Sequence, residues 1–411
     1  MALLLLALLS AGPATPAEPA KRPLILAHYM PWFEAKPENR EWGWHWKMKA
    51  FDPEQRTKGK RRIASHYYPL IGPYDSGDPA VIEYHLLLMK LAGIDGIVVD
   101  WYGLSDFLDY PVLHRNTCAL FEGAAKIGLL FAVCYEDQTI AKLVAARKLS
   151  ANDGIAHAKR EIQWLSENWF SKPVYLRLKG KPVLLSFGSE GLSDNEWEQV
   201  LGSAETAPLY LSEHRQRSGA GGAFDWPQPQ IGTASLDRYY QSVKGRPIFM
   251  PVAFPRFHDV YKEGKVQESY PHLPDDQGRT FAMTFERALK SGAPLVQIAT
   301  WNDWGEGTIV EPSREFGYRD LETIQRLRRT LDSLFPATPE DLRLPYRLWR
   351  LRGHQTQQPQ LKPELDLIAN LLASGNTSDA RSALSQIEIT FHHTIERSDN
   401  SCEDQPKGLA R

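Results

Sequence analysis

Asp303 and Glu306 stand three residues apart in the segment Ala299-Thr300-Trp301-Asn302-Asp303-Trp304-Gly305-Glu306-Gly307-Thr308, directly after the apolar run Leu295–Ala299. On a continuing strand, residues at this spacing face opposite sides. The chain must turn if both carboxylates are to reach one cavity, and Gly305 and Gly307 make that turn easy. Two acids framed by Trp301, Asn302 and Trp304 suit hydrolysis of a glycosidic bond. One holds a proton for the leaving oxygen while the other stays ionised. The tryptophans would lower the local dielectric and raise one carboxyl pKa. The competing reading has Asp303 capping the turn and Glu306 paired with an arginine.

Other strand ends carry similar residues: His28-Tyr29, Asp100-Trp101-Tyr102 and Tyr135-Glu136-Asp137. Each also has a packing explanation. Asp100 could be a structural acceptor and His28 a core imidazole. Glu136 is the strongest addition, because an ionisable group after a buried strand is costly unless used or paired. Trp46 and Tyr74, from a long loop described below, complete the substrate-binding candidates. No Gly-rich phosphate loop, HExxH, HxH, CxxC or G-x-S-x-G pattern occurs, so neither metal nor cofactor is expected.

The elements that must position these residues alternate. Short apolar strands end in polar or aromatic residues, and helical segments follow, which predicts a parallel sheet wrapped by helices. Eight strands are expected: Pro23–Met30, Gly96–Trp101, Leu129–Tyr135, Pro182–Phe187, Pro208–Ser212, Gly222–Asp225, Pro247–Phe254 and Pro294–Trp301. Helices are expected at Ala80–Ala92, Asn116–Gly128, Gly154–Asn168, Asp194–Leu201, Thr280–Ser291 and Leu321–Leu334. Two long insertions, residues 33–77 and 255–279, leave from strand C-termini, where barrel active sites are built.

A chain of 411 residues is long enough for such a barrel. The net charge of −2 and the lack of a basic, aromatic-rich run argue against nucleic acid. Twelve Trp and sixteen Tyr can supply both core and flat faces for sugars. Residues 1–20 hold a short apolar run, then small residues and proline, which predicts a cleaved export signal and a secreted or periplasmic protein. Cys118, Cys134 and Cys402 have no metal-type spacing. The first two read as small buried hydrophobes, with a Cys118–Cys134 bridge as the alternative. A barrel over residues 21–345 is expected, followed over 346–411 by a Gln/Pro-rich linker, a hairpin of Pro363–Ala373 and Thr377–Ile389, and a disordered tail.

The run His66-Tyr67-Tyr68-Pro69-Leu70-Ile71-Gly72-Pro73-Tyr74-Asp75-Ser76-Gly77-Asp78-Pro79-Ala80-Val81-Ile82-Glu83-Tyr84-His85 resembles glycoside hydrolase family 99, the endo-α-mannosidases. So do Tyr29-Met30-Pro31-Trp32, Gly93–Tyr102 and Ala132–Asp137, and Trp301–Thr308 looks like that family's catalytic loop. The same loop resembles the Trp-Asn-Asp-aromatic-Gly-Glu motif of family 71 α-1,3-glucanases. The resemblance covers roughly residues 23–335 and implies a (β/α)8 TIM barrel and metal-free hydrolysis of an α-linked glycan.

In family 99 the first of two glutamates acts as base on the substrate's own 2-hydroxyl. The second is acid and base at the glycosidic oxygen. By resemblance Asp303 takes the first position and Glu306 the second, Glu136 lines a sugar subsite, and Tyr29, Trp101 and Tyr102 line the cleft. Asp303 departs from the family's Glu, which puts that base step in doubt but agrees with family 71. Trp304-Gly305 replaces a Trp-His pair, so a mannose-binding His is missing, and mannan is not singled out. An endo-acting, monomeric hydrolase of oligo- or polysaccharide is expected. A non-catalytic carbohydrate-binding barrel and a polysaccharide-biosynthesis protein are the alternatives.

Overall fold

A computed structural model describes residues 22–188, 191–355 and 357–403. The expected export signal and the final residues of the expected tail lie outside the described residues. Nine parallel strand pieces form the barrel: β1 (Leu24–Tyr29), β2 (Gly96–Trp101), β3 (Leu130–Tyr135), β4 (Lys181–Ser186), β5 (Leu209–Glu213), β6 (Gly222–Phe224), β7 (Phe249–Met250), β8 (Val252–Ala253) and β9 (Leu295–Ile298). β7 pairs with β6 and β8 pairs with β9. These two pieces are halves of one stave parted by Pro251. Proline has no N–H for the ladder, yet its carbonyl still accepts from Gln297 N at 3.0 Å. β1 pairs with both β2 and β9, so eight staves close into the expected (β/α)8 barrel.

Strand parity sorts the side chains. Leu26, Val98, Ala132, Cys134, Leu185, Leu211 and Leu295 fill the barrel interior. Ile25, Ala27, Ile97, Val99, Phe131 and Val133 face the helices. Cys134 therefore lies inside the barrel while Cys118 sits on an outer helix, and both are free thiols rather than a bridge.

Helix α1 (Pro79–Ala92) begins where Asp78 accepts the Ala80 N–H at 2.8 Å, with proline at the first helical position. Its Ile82, Leu86, Met89 and Leu91 are buried, as the apolar stripe predicted. The next helix, α2 (Tyr110–Ile127), starts earlier than expected. Three helices had no clear sequence signal: Thr139–Ala145, Ala234–Ser242 and α3 (Leu344–Arg352). Two more follow, α4 (Lys362–Ala373) and α5 (Thr377–Glu403), the second longer than expected. α3 spans residue 345, where the barrel was expected to end. Leu348 and Leu351 of α3, Leu365 and Ile368 of α4, and Leu384 of α5 join the core beneath α1. Arg352 ties the layer together through Glu83 at 2.9 Å and Asp366 at 2.8 Å. No helix among the described residues is long and apolar enough to cross a membrane.

Leu365 is fully buried in this shared core. Leu365→Ala should cost about 2–5 kcal/mol and lower the melting temperature of the whole barrel in one circular-dichroism transition. An unchanged main transition would show that the C-terminal helices unfold on their own.

Candidate active site

The loop after β9 is closed at its base. Thr300 N–H donates to Thr308 O at 2.9 Å and Val310 N–H to Thr300 O at 3.0 Å. Within it Asp303 N–H donates to Thr300 Oγ1 at 2.7 Å, and Asp303 Oδ1 accepts the Glu306 N–H at 2.9 Å. Asp303 thus caps the turn that sequence required. Gly307 has φ +69°, and a Cβ there would meet the His258 carbonyl at 2.8 Å, so glycine is needed on both counts. The insertion after β8 grips the loop from outside. His258 N–H donates to Glu306 O at 2.8 Å, Val260 N–H to Gly305 O at 3.0 Å, and Arg256 to Ile309 O at 2.6 Å. From the same insertion the Tyr261 hydroxyl donates to Glu306 Oε1 at 3.0 Å. Tyrosine, not the arginine considered from sequence, is the partner of this carboxyl.

Parity places further acids on the inner face. Asp100 is the penultimate residue of β2 and Glu136 follows β3, both buried. Burial, then repulsion from Glu136 and Asp303, pushes Asp100 well above the usual carboxylate range. Burial pushes Glu136 up to about 7, while Gln138 and Lys142 pull it back. Burial likewise raises Asp303 to about 6, opposed by the N–H groups of Glu306 and Gly305. Glu306 is raised well above the carboxylate range by burial and then by Asp303. Mutual repulsion joins Asp100 to Glu136 and Asp303, and Asp303 to Glu306, as one electrostatic group. Within it Glu306 is biased to hold a proton and Asp303 to give one up. Among the described residues no cluster of His, Cys, Asp or Glu could hold a metal ion.

The aromatic candidates fare differently. Tyr102 is half-buried at the rim, 6.4 Å from Trp32, with Lys142 over its ring at 5.8 Å. Trp101 is fully buried on the outer face of β2, between Trp164 and Trp169, and donates to His114 at 3.2 Å. Trp301 packs in the same helix-facing layer, 5.6 Å from His85. Trp46 is enclosed against Phe33 and donates to the Tyr74 carbonyl at 2.8 Å. A ring covered on both faces cannot stack on a sugar, so these three support the site rather than line it.

Tyr29, Tyr74, Asn302 and Trp304 also lie below the surface. Tyr29 bonds His85 at 2.9 Å, and Tyr74 donates to Glu311 at 2.7 Å. Asn302 accepts from Met30 N–H at 2.8 Å and donates to the Tyr74 hydroxyl at 3.1 Å, and Trp304 donates to the same hydroxyl at 3.2 Å.

Sequence reasoning passed over several residues at the mouth. Tyr261 and Asp259 sit in the long insertion, where no periodicity marked them. Asp259 accepts the N–H groups of Tyr261 and Tyr270 at 2.9 and 2.8 Å. Glu213 ends β5, and its neighbour His214 lies between Glu213 at 3.4 Å and Asp225 at 3.0 Å. Polar residues at the ends of β5 and β6 were the available signal for this trio.

A model of the family described as glycosyl hydrolase family 99 matches residues 24–215. That span stops before the loop carrying Asp303 and Glu306. The chain is 33% identical over 348 residues to a glycoprotein endo-alpha-1,2-mannosidase-like protein of Mus musculus, covering 74% of this chain and 73% of the relative. It is 24% identical over 303 residues to the protein of the same description from Danio rerio, covering 65% of this chain but only 64% of that relative's length. Among solved structures, the family 99 endo-alpha-mannosidase from Bacteroides thetaiotaomicron superposes with TM-score 0.58 at 20% identity, over 76% of this chain and 98% of that one. A glycoside hydrolase-like protein superposes at TM-score 0.55 and 12% identity, over 77% of this chain and 97% of that one. These superpositions share the barrel, and the sequence relationships carry the assignment: the chain belongs to glycosyl hydrolase family 99.

Proposed function

We propose that the protein hydrolyses an α-linked glycan, acting within the chain, with Glu306 as the acid and base at the glycosidic oxygen and Asp303 as its ionised partner. The observation that carries this reading is a pair of carboxyls on one braced turn at the barrel mouth, Asp303 accepting the Glu306 N–H at 2.9 Å and Glu306 held by Tyr261 at 3.0 Å, with burial and then the charge of Asp303 raising Glu306 well above the usual carboxylate range. A protonated Glu306, steadied by Tyr261, can deliver its proton to the leaving oxygen. Asp303 can then act on the sugar's 2-hydroxyl, as family resemblance implies, or stabilise developing positive charge from below. Its shorter side chain matches the family 71 motif. The relatives named as glycoprotein endo-alpha-1,2-mannosidase-like proteins make mannosides the first substrates to try. We further propose export from the cytoplasm, on the leader-like first residues, and a monomeric state.

Product release from α-mannans and α-glucans tests the assignment. Glu306→Gln should lose about 10²–10⁴-fold in rate on the glycan that wild type cleaves. Retained turnover would remove Glu306 from the mechanism. Glycan binding without turnover in wild type would favour a binding barrel.

The pH profile follows from the same shifts. The reaction needs Asp303 ionised, so kcat/KM should fall as pH drops through about 6. It needs Glu306 protonated, so an alkaline limb should follow at higher pH. A profile flat across pH 5–7 on the scale of about tenfold per unit would contradict this pairing.

The buried acids also cost stability. Asp100 has its folded pKa above its unfolded value, so its favourable contribution is complete below the unfolded value near 3.8 and is lost as pH rises toward the folded value. Asp100→Asn should therefore raise the melting temperature at pH 8 and leave it nearly unchanged at pH 3. Equal effects at both pH values would rule out the electrostatic account.

A further inference from the structure

The innermost layer of the barrel mouth is not used by the chemistry above. His28 points inward from β1, fully buried, 5.2 Å from Phe187 and 4.8 Å from half-buried Trp226. Its Nδ1 lies 3.2 Å from Gln297 Oε1. The other end of that amide is fixed, because Gln297 Nε2 donates to the Asp225 carbonyl at 2.9 Å. Oε1 can only accept, so Nδ1 must carry the imidazole proton. Burial lowers the ring's pKa to about 4, so it is neutral near pH 7. Nε2 is then a lone-pair acceptor, and it has no partner among the described residues.

Two more unpartnered carboxyl oxygens belong to the mouth: Asp225 Oδ2, on the residue whose carbonyl holds Gln297, and Asp100 Oδ1, two residues beyond the β2 position registered with His28. A buried polar atom without a partner costs about 1–3 kcal/mol, so three in one mouth point to a ligand rich in donors. An anion would be repelled by the carboxylates. The side chains are not arranged to hold a metal. A neutral polyhydroxyl ring fits, with Trp226 and Phe187 offering apolar contact to its C–H faces.

We propose that His28 is a specificity-determining residue whose Nε2 accepts a hydrogen bond from a hydroxyl of the sugar seated over Trp226. This rests on the glycan reading of the mouth. A site that offers a buried acceptor discriminates against a ring whose hydroxyl points elsewhere, because the acceptor is then left unpaired. His28 therefore selects between epimers, apart from the acids that break the bond.

The test uses the full chain carrying Glu306→Gln and 15N-labelled histidine, titrated with methyl α-D-mannoside and with methyl α-D-glucoside. Two-bond 1H–15N spectra read the tautomer of His28, whose signals are those lost in His28→Phe. Expected are a protonated Nδ1, a bare Nε2, and a shift of Nε2 on adding the preferred epimer. His28→Phe should weaken binding of that epimer by about fivefold or more and narrow the gap between the two. His28→Gln, which keeps an acceptor, should retain more of the preference and covers the case in which the phenylalanine variant fails to fold. A protonated Nε2 in the free protein overturns the proposal, as does an Nε2 signal unmoved by both glycosides. Binding through His28 with no product from any glycan keeps this proposal and sinks the hydrolase reading. Cleavage whose epimer preference survives His28→Phe does the reverse.

Discussion

His85 and Glu311 meet at 3.1 Å with no exposure of either side chain, and around that contact the working end of the barrel is assembled. His85 comes from α1, Glu311 from the far side of the loop that bears Asp303 and Glu306. Tyr29, at the end of β1, bonds the imidazole, and Tyr74, from the first insertion, bonds the carboxylate. Through the Tyr74 hydroxyl the network reaches Asn302 and Trp304, on either side of Asp303. The two atoms that face each other there make no hydrogen bond of good geometry, so the side chains are held through the tyrosines that bond their other atoms. The effect of this network is to fix where the loop bearing Asp303 and Glu306 sits relative to the first stave.

Above this rigid layer the mouth is under electrostatic tension. Asp100, Glu136, Asp303 and Glu306 are held close in a setting that resists ionising all of them. The Lys142 ammonium draws Asp100 and Glu136 back down. Tyr261 gives Glu306 a hydrogen bond without a countercharge, so the carboxyl is steadied in place and remains hard to ionise. An arginine in that position would have favoured the ionised form of Glu306. Sites of this type commonly sacrifice stability for a tuned proton.

The staves were legible because alternation of short apolar runs with helical segments is a long-range pattern. β2 was read to the residue, and the ragged stave at Pro251 was read as one strand because periodicity does not register a missing ladder bond. The acids of the candidate site, Asp303, Glu306, Asp100 and Glu136, were legible because they interrupt apolar sequence. The tryptophans were not. Asp100 and Trp101 are adjacent, so alternation allows only one of them to face the mouth, and the inward hydrophobes of β2 assign that face to Asp100. An aromatic at a strand end signals a platform only once its parity is known. Tyr261 was invisible for a different reason. Its role comes from a fold-back of the insertion, in which Phe257 pairs with Leu273, and nothing local in the sequence marks that pairing.

The loop bearing Asp303 and Glu306 is gripped from two directions by chain far removed from it in sequence. On one side Leu70 N–H donates to Pro312 O and Arg314 N–H to Tyr68 O, both at 2.9 Å; on the other, His258 and Val260 donate to Glu306 and Gly305. The three segments form a unit of inheritance that the linear sequence scatters over some two hundred and fifty positions, from Tyr68 to Arg314. Recombination between related barrels that exchanged one of them alone would leave the acid on a loop whose braces were cut for another shape. Chimeras drawn from such relatives should remain competent only when all three segments descend from the same parent.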